Sequence, residues 1–164
     1  MSSILDDFDI FDTLWKELKN SVKLLHAFKP PVNEKVSAFF ITKDDQVYEI
    51  GMNKCAALGL GHAQREFIPD HTKIPELCDQ NICQFFHNKS LLCFFARSQN
   101  SQIFVWGSNF SINETASSDN LVKYVKPERI KYFDEKNILT ITGVIGNYFA
   151  LSSNGLVYQF NDTH

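Results

Sequence analysis

Cysteine and histidine supply the densest reactive chemistry in this chain of 164 residues. Cys78 and Cys83 stand five apart, with His71 and His87 on either side. Structural zinc sites space their paired ligands by about two to four residues and add a second matched pair. Cys78-x₄-Cys83 reaches that upper spacing, but no second pair follows it. Together with Cys55 and Cys93, the pattern points to reduced, mostly buried thiols rather than to a metal site. Gly59-Leu60-Gly61 is glycine-rich, yet it lacks both the full dinucleotide fingerprint and a Gly-Lys-Ser/Thr ending, so turn glycines are expected there. No serine sits in a Gly-x-Ser-x-Gly elbow, and no cysteine has a motif-defined histidine partner. The residues therefore predict no catalytic centre and no cofactor. The sequons at Asn88, Asn113 and Asn161 predict no glycan without a secretory signal.

Charge narrows the partners. The chain carries 16 Lys+Arg against 19 Asp+Glu, so it has no basic footprint for a phosphate backbone, and direct nucleic-acid binding is not expected. No apolar run approaches the ~20 residues that span a bilayer. The acidic start, Met1-Ser2-Ser3-Ile4-Leu5-Asp6-Asp7, has no apolar core of a signal peptide. A cytoplasmic or nuclear protein, away from membranes, is the expectation. Hydrophobic residues make up 44 % of the chain and phenylalanine alone contributes 15, enough apolar surface for a core.

Two kinds of element are predicted. From about Asp9 to Phe28, Leu14, Leu18, Val22 and Leu25 recur at spacings of three and four, with Lys16, Glu17, Lys19 and Asn20 between them. That is the pattern of an amphipathic helix. Asp12 stands where an N-cap would, and Pro30-Pro31 ends the helix. The helix is expected to pack on the rest of the protein, and docking a partner is the alternative. Residues 1–31 thus form an amino-terminal helical segment, and 32–164 the remainder.

Beyond Pro31 the chain repeats itself. Phe39-Phe40-Ile41-Thr42-Lys43-Asp44-Asp45-Gln46-Val47-Tyr48 aligns without gaps with Phe95 to Phe104 and with Phe149 to Tyr158. Each copy has Phe first, a hydroxyl residue fourth (Thr42, Ser98, Ser152), and Asp or Asn sixth. Each closes on a β-branched residue and an aromatic: Val47-Tyr48, Ile103-Phe104, Val157-Tyr158. The offsets are 103 − 47 = 56 and 157 − 103 = 54. A period in this range signals a repeat architecture. One copy reads as a β-hairpin around a polar turn, with Asn154-Gly155 the strongest turn signal. Val47-Tyr48-Glu49-Ile50-Gly51-Met52-Asn53 further matches Ile103-Phe104-Val105-Trp106-Gly107-Ser108-Asn109, a strand ending where the backbone must turn tightly. The third copy keeps Phe160 but has Asn161 and Thr163 at the Gly and Asn places. Ile74-Pro75-Glu76-Leu77 before Ile82 and Lys126-Pro127-Glu128-Arg129-Ile130 before Ile138 correspond as well, bringing each unit to about four strands, as in a propeller blade.

On these residues, with Leu58-Gly59-Leu60-Gly61 after the first copy, the chain resembles the regulator of chromosome condensation (RCC-type) repeat family. Its repeats pair a Thr-x-Asp-Gly-x-Val-Tyr hairpin with Trp-Gly-x-Asn and then Leu-Gly-x-Gly. The resemblance covers about residues 36 to 160. It implies an all-β fold: a partial β-propeller of about three degenerate four-stranded blades, here preceded by the amino-terminal α-helix. The amino terminus is also similar to the beginning of the RCC-and-BTB proteins. In those the propeller precedes a BTB domain that can serve as adaptor for cullin-type ubiquitin ligases, and nothing here resembles that domain. Family propellers have seven blades, so three repeats imply a fragment, a short isoform or an incomplete gene model.

The departures are specific. Phe110-Ser111-Ile112-Asn113 replaces Leu-Gly-x-Gly after Asn109, and the family's His-Thr before each hairpin is missing. The family's founding member is an exchange factor for the small GTPase Ran, but its exchange surface maps onto no matching residues here. The resemblance implies a non-enzymatic scaffold for protein partners, a small GTPase or a ubiquitin-ligase component among them. Regulation of, or nucleotide exchange on, a Ran-like GTPase is the alternative. Val47, Tyr48, Ile103, Phe104, Val157 and Tyr158 are expected to be buried between blades, and Phe39, Phe95 and Phe149 to build the shared core. His62–Lys73 and Phe110–Asn120 read as irregular loops and hence as surface candidates.

Overall fold

The computed structural model describes residues 18, 20–29, 36–53, 56–62, 67–87, 93–107, 124–144 and 147–160. Strands of four to seven residues dominate them. The first sheet runs in the order β1 (Val22–Phe28), β2 (Ser37–Thr42), β3 (Val47–Met52), β4 (Phe67–Lys73). The second runs β5 (Ile82–His87), β6 (Cys93–Ser98), β7 (Ile103–Gly107), β8 (Tyr124–Arg129). The third holds β9 (Ile138–Val144), β10 (Asn147–Ser152) and β11 (Val157–Phe160) among the described residues. Every pairing is antiparallel. These are three blades of a propeller-like stack, as the period of the sequence predicts. Their first strands converge: His26 on β1 meets His87 on β5, and β5 approaches β9.

Each hairpin is built the same way, which explains what repeats in the sequence. The N–H of Thr42, Ser98 and Ser152 donates across the turn to the carbonyl of Gln46, Gln102 and Leu156, at 2.9, 3.0 and 2.9 Å. The hydroxyls at the fourth place are buried and close the same turn from the side chain. Thr42 Oγ1 and Ser98 Oγ each accept from the returning N–H at 3.1 Å, and Ser152 Oγ donates to the Leu156 carbonyl at 3.0 Å. Asp45, Ser101 and Gly155 take the left-handed position of the turn, with φ of 61°, 61° and 83°. Only glycine adopts that region at no steric cost, so the third turn is the least strained.

Blades stack through two apolar layers. Phe39, Ile41 and Val47 of the first blade pack against Ile82, Phe85, Phe94 and Trp106 of the second. Phe86, Phe95, Ile103 and Val105 of the second pack against Ile138, Ile141, Tyr148 and Ala150 of the third. A short 3₁₀ turn leads into each of the later blades, over Pro75–Leu77 and Lys131–Phe133, driving Leu77 and Phe133 into these layers.

Three expectations change. Val22–Phe28 is strand β1, not the end of a helix, and pairs from Phe28↔Ser37 to Val22↔Thr42. Leu18, Val22 and Leu25 do lie in one cluster, so their three-and-four spacing reports a shared face although Val22 and Leu25 stand on a strand. Asp9 to Glu17 lie outside the described residues. Phe67–Lys73 is strand β4 rather than loop, missed because this mostly exposed outer strand carries Pro69 and polar residues instead of apolar alternation. Finally, Ile74-Pro75-Glu76-Leu77 corresponds to Ile130-Lys131-Tyr132-Phe133, at the constant offset of 130 − 74 = 56, and not to Lys126–Ile130. Pro75 opens a 3₁₀ turn, whereas Pro127 sits within β8.

Candidate interaction surface

The repeat-motif residues form a latch between the first two blades. Gly51 has φ of +123°, and a β-carbon there would lie 2.7 Å from the Ser37 backbone, so only glycine fits. The ladder to β4 shifts register beside it, as the ladder to β8 does beside Gly107 at φ +95°. The chain then leaves the sheet into a loop held by buried Asn53. Its Oδ1 accepts from the Leu58 N–H and its Nδ2 donates to the His62 carbonyl, both at 3.2 Å. This loop reaches the second blade: Trp106 Nε1 donates to the Ala57 carbonyl at 3.0 Å, and Gly61 N–H to the Val125 carbonyl at 2.8 Å. Gly59, at φ +75°, presses against Trp106 and Pro127. Leu58 fills the same core. Leu-Gly-x-Gly and Trp-Gly are thus two halves of one interblade clasp. Asn109 and Phe110–Asn120 lie outside the described residues, as do Cys55, Asn88, Asn113 and Asn161.

The metal-like set does not converge on one point. Cys78 Sγ donates to the Ile74 carbonyl at 3.3 Å and accepts from the Val47 N–H at 3.4 Å, and burial raises its thiol pKa. Cys83 Sγ lies 3.4 Å from the Arg97 carbonyl. His71 lies edge-on to Tyr48 and tilted against Phe40, and His87 faces His26 at 2.8 Å. Among the described residues no three His, Cys, Asp or Glu cluster as ligands.

Two titratable groups that the sequence did not single out lie in one cross-strand row, His26–Phe39–Glu49, facing the second blade. Burial, and secondarily His87, lowers His26 to about 4. Burial pushes the Glu49 carboxyl up to about 9. Glu49 is fully buried, and the hydroxyl of its cross-strand neighbour Thr72 offsets that burial only in part. The repeat gives a signal for it in retrospect, because the equivalent residue of the second blade is the apolar Val105.

The third blade repeats the same surface without a cover. Phe39 and Phe95 are 0 % and 3 % exposed, but Phe149 is 38 % exposed. Val47 and Ile103 are 0 % exposed, but Val157 is 64 % exposed, contrary to the burial expected of it. The reason is positional: the first two members of each set lie under the following blade, and no described sheet follows the third. Two cross-strand rows make up this face, Thr140–Leu151–Val157 and Thr142–Phe149–Gln159. Neither row holds a charged side chain.

No family model matches the sequence, and no curated protein matches it. Solved structures do match. Human WBSCR16 superposes with a TM-score of 0.58 at 18 % identity, over 85 % of this chain and 33 % of that one. Prp20p from Saccharomyces cerevisiae, described with its binding to Gsp1p and histones, superposes with a TM-score of 0.57 at 14 % identity, over 83 % and 32 %. The chain therefore spans about a third of the length of these neighbours, and its fold is RCC1-like.

Proposed function

We propose that the chain acts by binding protein rather than by catalysis, as an RCC1-type interaction module in the cytoplasm or nucleus, and that the trailing face of the third blade is where protein docks. The observation that carries this is the contrast between Phe39 and Phe95, both buried, and Phe149, open at the same place in the repeat. The occupant this face fits is another antiparallel sheet presenting the set that the second and third blades present. Those sets are Phe85, Phe94, Ala96 and Trp106, then Ile141, Tyr148, Ala150 and Phe160. A photo-crosslinking residue at Val157 should trap a discrete protein, while the same residue at exposed Lys126, on the second blade, should not. Equal labelling from both positions, or none from either, overturns the reading. Whether that protein belongs to a ubiquitin ligase, as the RCC-and-BTB resemblance implies, follows from its identity.

A second reading, regulation of a small Ran-like GTPase, is supported by the likeness to Prp20p, whose binding to Gsp1p is described. It predicts faster nucleotide release from such a GTPase when the chain is added. An unchanged rate at saturating protein excludes it.

A further inference from the structure

The three hairpin turns share a geometry but differ in their chemistry. The sixth residue of the copies is Asp44, Asn100 and Asn154, and the residue after it, in the left-handed position, is Asp45, Ser101 and Gly155. The turns are closed alike. The N–H of the left-handed residue donates to the carbonyl of the hydroxyl residue: Asp45 to Thr42 at 3.0 Å, Ser101 to Ser98 at 3.1 Å, Gly155 to Ser152 at 3.0 Å. Asn154 is the one asparagine of the sequence that glycine follows.

The third turn leaves that pair open to reaction. Both residues are exposed, and a β-carbon on Gly155 would meet nothing within 4 Å. Asn154 Oδ1 accepts from the Ser152 hydroxyl at 2.5 Å and from the Leu156 N–H at 3.4 Å. Two donors on that oxygen draw electron density from Cγ and stabilise the negative charge that an attack there would develop. In the second turn Ser98 Oγ is the acceptor instead, taking the Gln102 N–H at 3.1 Å.

We infer that Asn154 is a site of spontaneous deamidation, with Gly155 as the intramolecular nucleophile. The Gly155 amide nitrogen leaves the Ser152 carbonyl and attacks Asn154 Cγ. The new N–C bond forms as the bond from Cγ to the side-chain nitrogen breaks, and the Gly155 proton departs with that nitrogen as ammonia. The cyclic imide then takes up water. Addition at Cγ leaves aspartate, and addition at the main-chain carbonyl carbon leaves isoaspartate, whose backbone runs through the former side chain. Nothing is oxidised or reduced, and no partner is required. Glycine favours the step because it has no Cβ to crowd the nitrogen, as Ser101 has beside Asn100.

The repeat also shows which product the fold holds. Asp44 occupies the equivalent place, and the Thr42 hydroxyl is the first cause that keeps its carboxyl below the usual range. Ser152 stands where Thr42 does, so an aspartate at 154 meets the same donor. Isoaspartate lengthens the backbone between Ser152 and Leu156, where a 2.9 Å bond from the Ser152 N–H to the Leu156 carbonyl closes the hairpin.

Ageing the folded wild-type chain in isotopically heavy water at mildly alkaline pH tests this. Peptide mass analysis should find the amide-to-acid exchange, with its label, at Asn154 about tenfold faster than at Asn100, a barrier difference of ~1.4 kcal/mol. Equal rates at the two positions, faster exchange at Asn100, or an unlabelled Asn154 overturns the inference. The two products are then compared. Asn154→Asp should unfold at the wild-type temperature, while aged chain carrying isoaspartate should unfold lower and exchange the Ser152 N–H faster. An Asn154→Asp chain as unstable as the isoaspartate fraction would overturn the claim that the fold holds aspartate there.

Discussion

Glu49 and His26 flank Phe39 in one row under the second blade, and their titrations oppose each other. Glu49 is protonated in the folded state up to about pH 9, against 4.5 when unfolded. The folded state therefore binds the extra proton, and stability falls as pH rises between those values. His26 is held neutral down to about pH 4, against 6.5 when unfolded, so its contribution is lost as pH falls below 6.5. Together they place maximal stability on the mildly acidic side. Glu49→Gln, which cannot ionise, should flatten the decline toward pH 9 and raise stability there by about 1–3 kcal/mol. His26→Phe should flatten the decline between pH 6.5 and 4. Thermal unfolding across pH checks both, and parallel wild-type and variant curves would refute the assignment. Neither residue was legible beforehand: Glu49 reads as one more polar residue of an alternating strand, and only the stacking of a second blade removes it from water.

At the scale of elements, the interblade clasp rests on Trp106 and Gly59. Trp106→Phe leaves the Ala57 carbonyl without its donor and should cost about 1–2 kcal/mol. Gly59→Ala forces a side chain to φ +75° and sets its Cβ 3.0 Å from Trp106 Cδ1, which should cost about 1–3 kcal/mol. Urea unfolding measures each, and because the two sites touch, the double variant should cost less than their sum. The hairpins and the motif glycines were readable because their causes are local: a turn hydroxyl, a left-handed residue, a close backbone approach. β1 and β4 were not. β1 carries partly buried apolar residues on both faces, Leu24 in one cluster and Val22 and Leu25 in another, so they run without alternation and imitate a helix. β4 is an outer strand whose partner alone defines it, and its Pro69 and Asp70 speak against a strand. The correspondence of the 3₁₀ turns is masked in the sequence by two Pro-Glu pairs, Pro75-Glu76 and Pro127-Glu128, which stand at different places in the repeat, while the offset of 56 links Ile74 to Ile130.

For the molecule as a whole, one residue type at one place in the repeat meets three environments. Phe39→Ala and Phe95→Ala should each cost about 3–5 kcal/mol as cavities open between blades. Phe149→Ala, on the uncovered face, should cost under about 1 kcal/mol. Equal costs at all three positions would mean that the third blade is covered in solution. An uncharged face that exposes Phe149, Leu151 and Val157, with no cover among the described residues, is also prone to self-association. Light scattering on the wild-type chain and on Phe149→Lys/Val157→Lys, over a range of concentrations, tests the docking face most directly. The account predicts wild-type mass that rises with concentration and a double variant that stays monomeric and folded. A wild-type chain that remains a monomer throughout, indistinguishable from the variant, would contradict it.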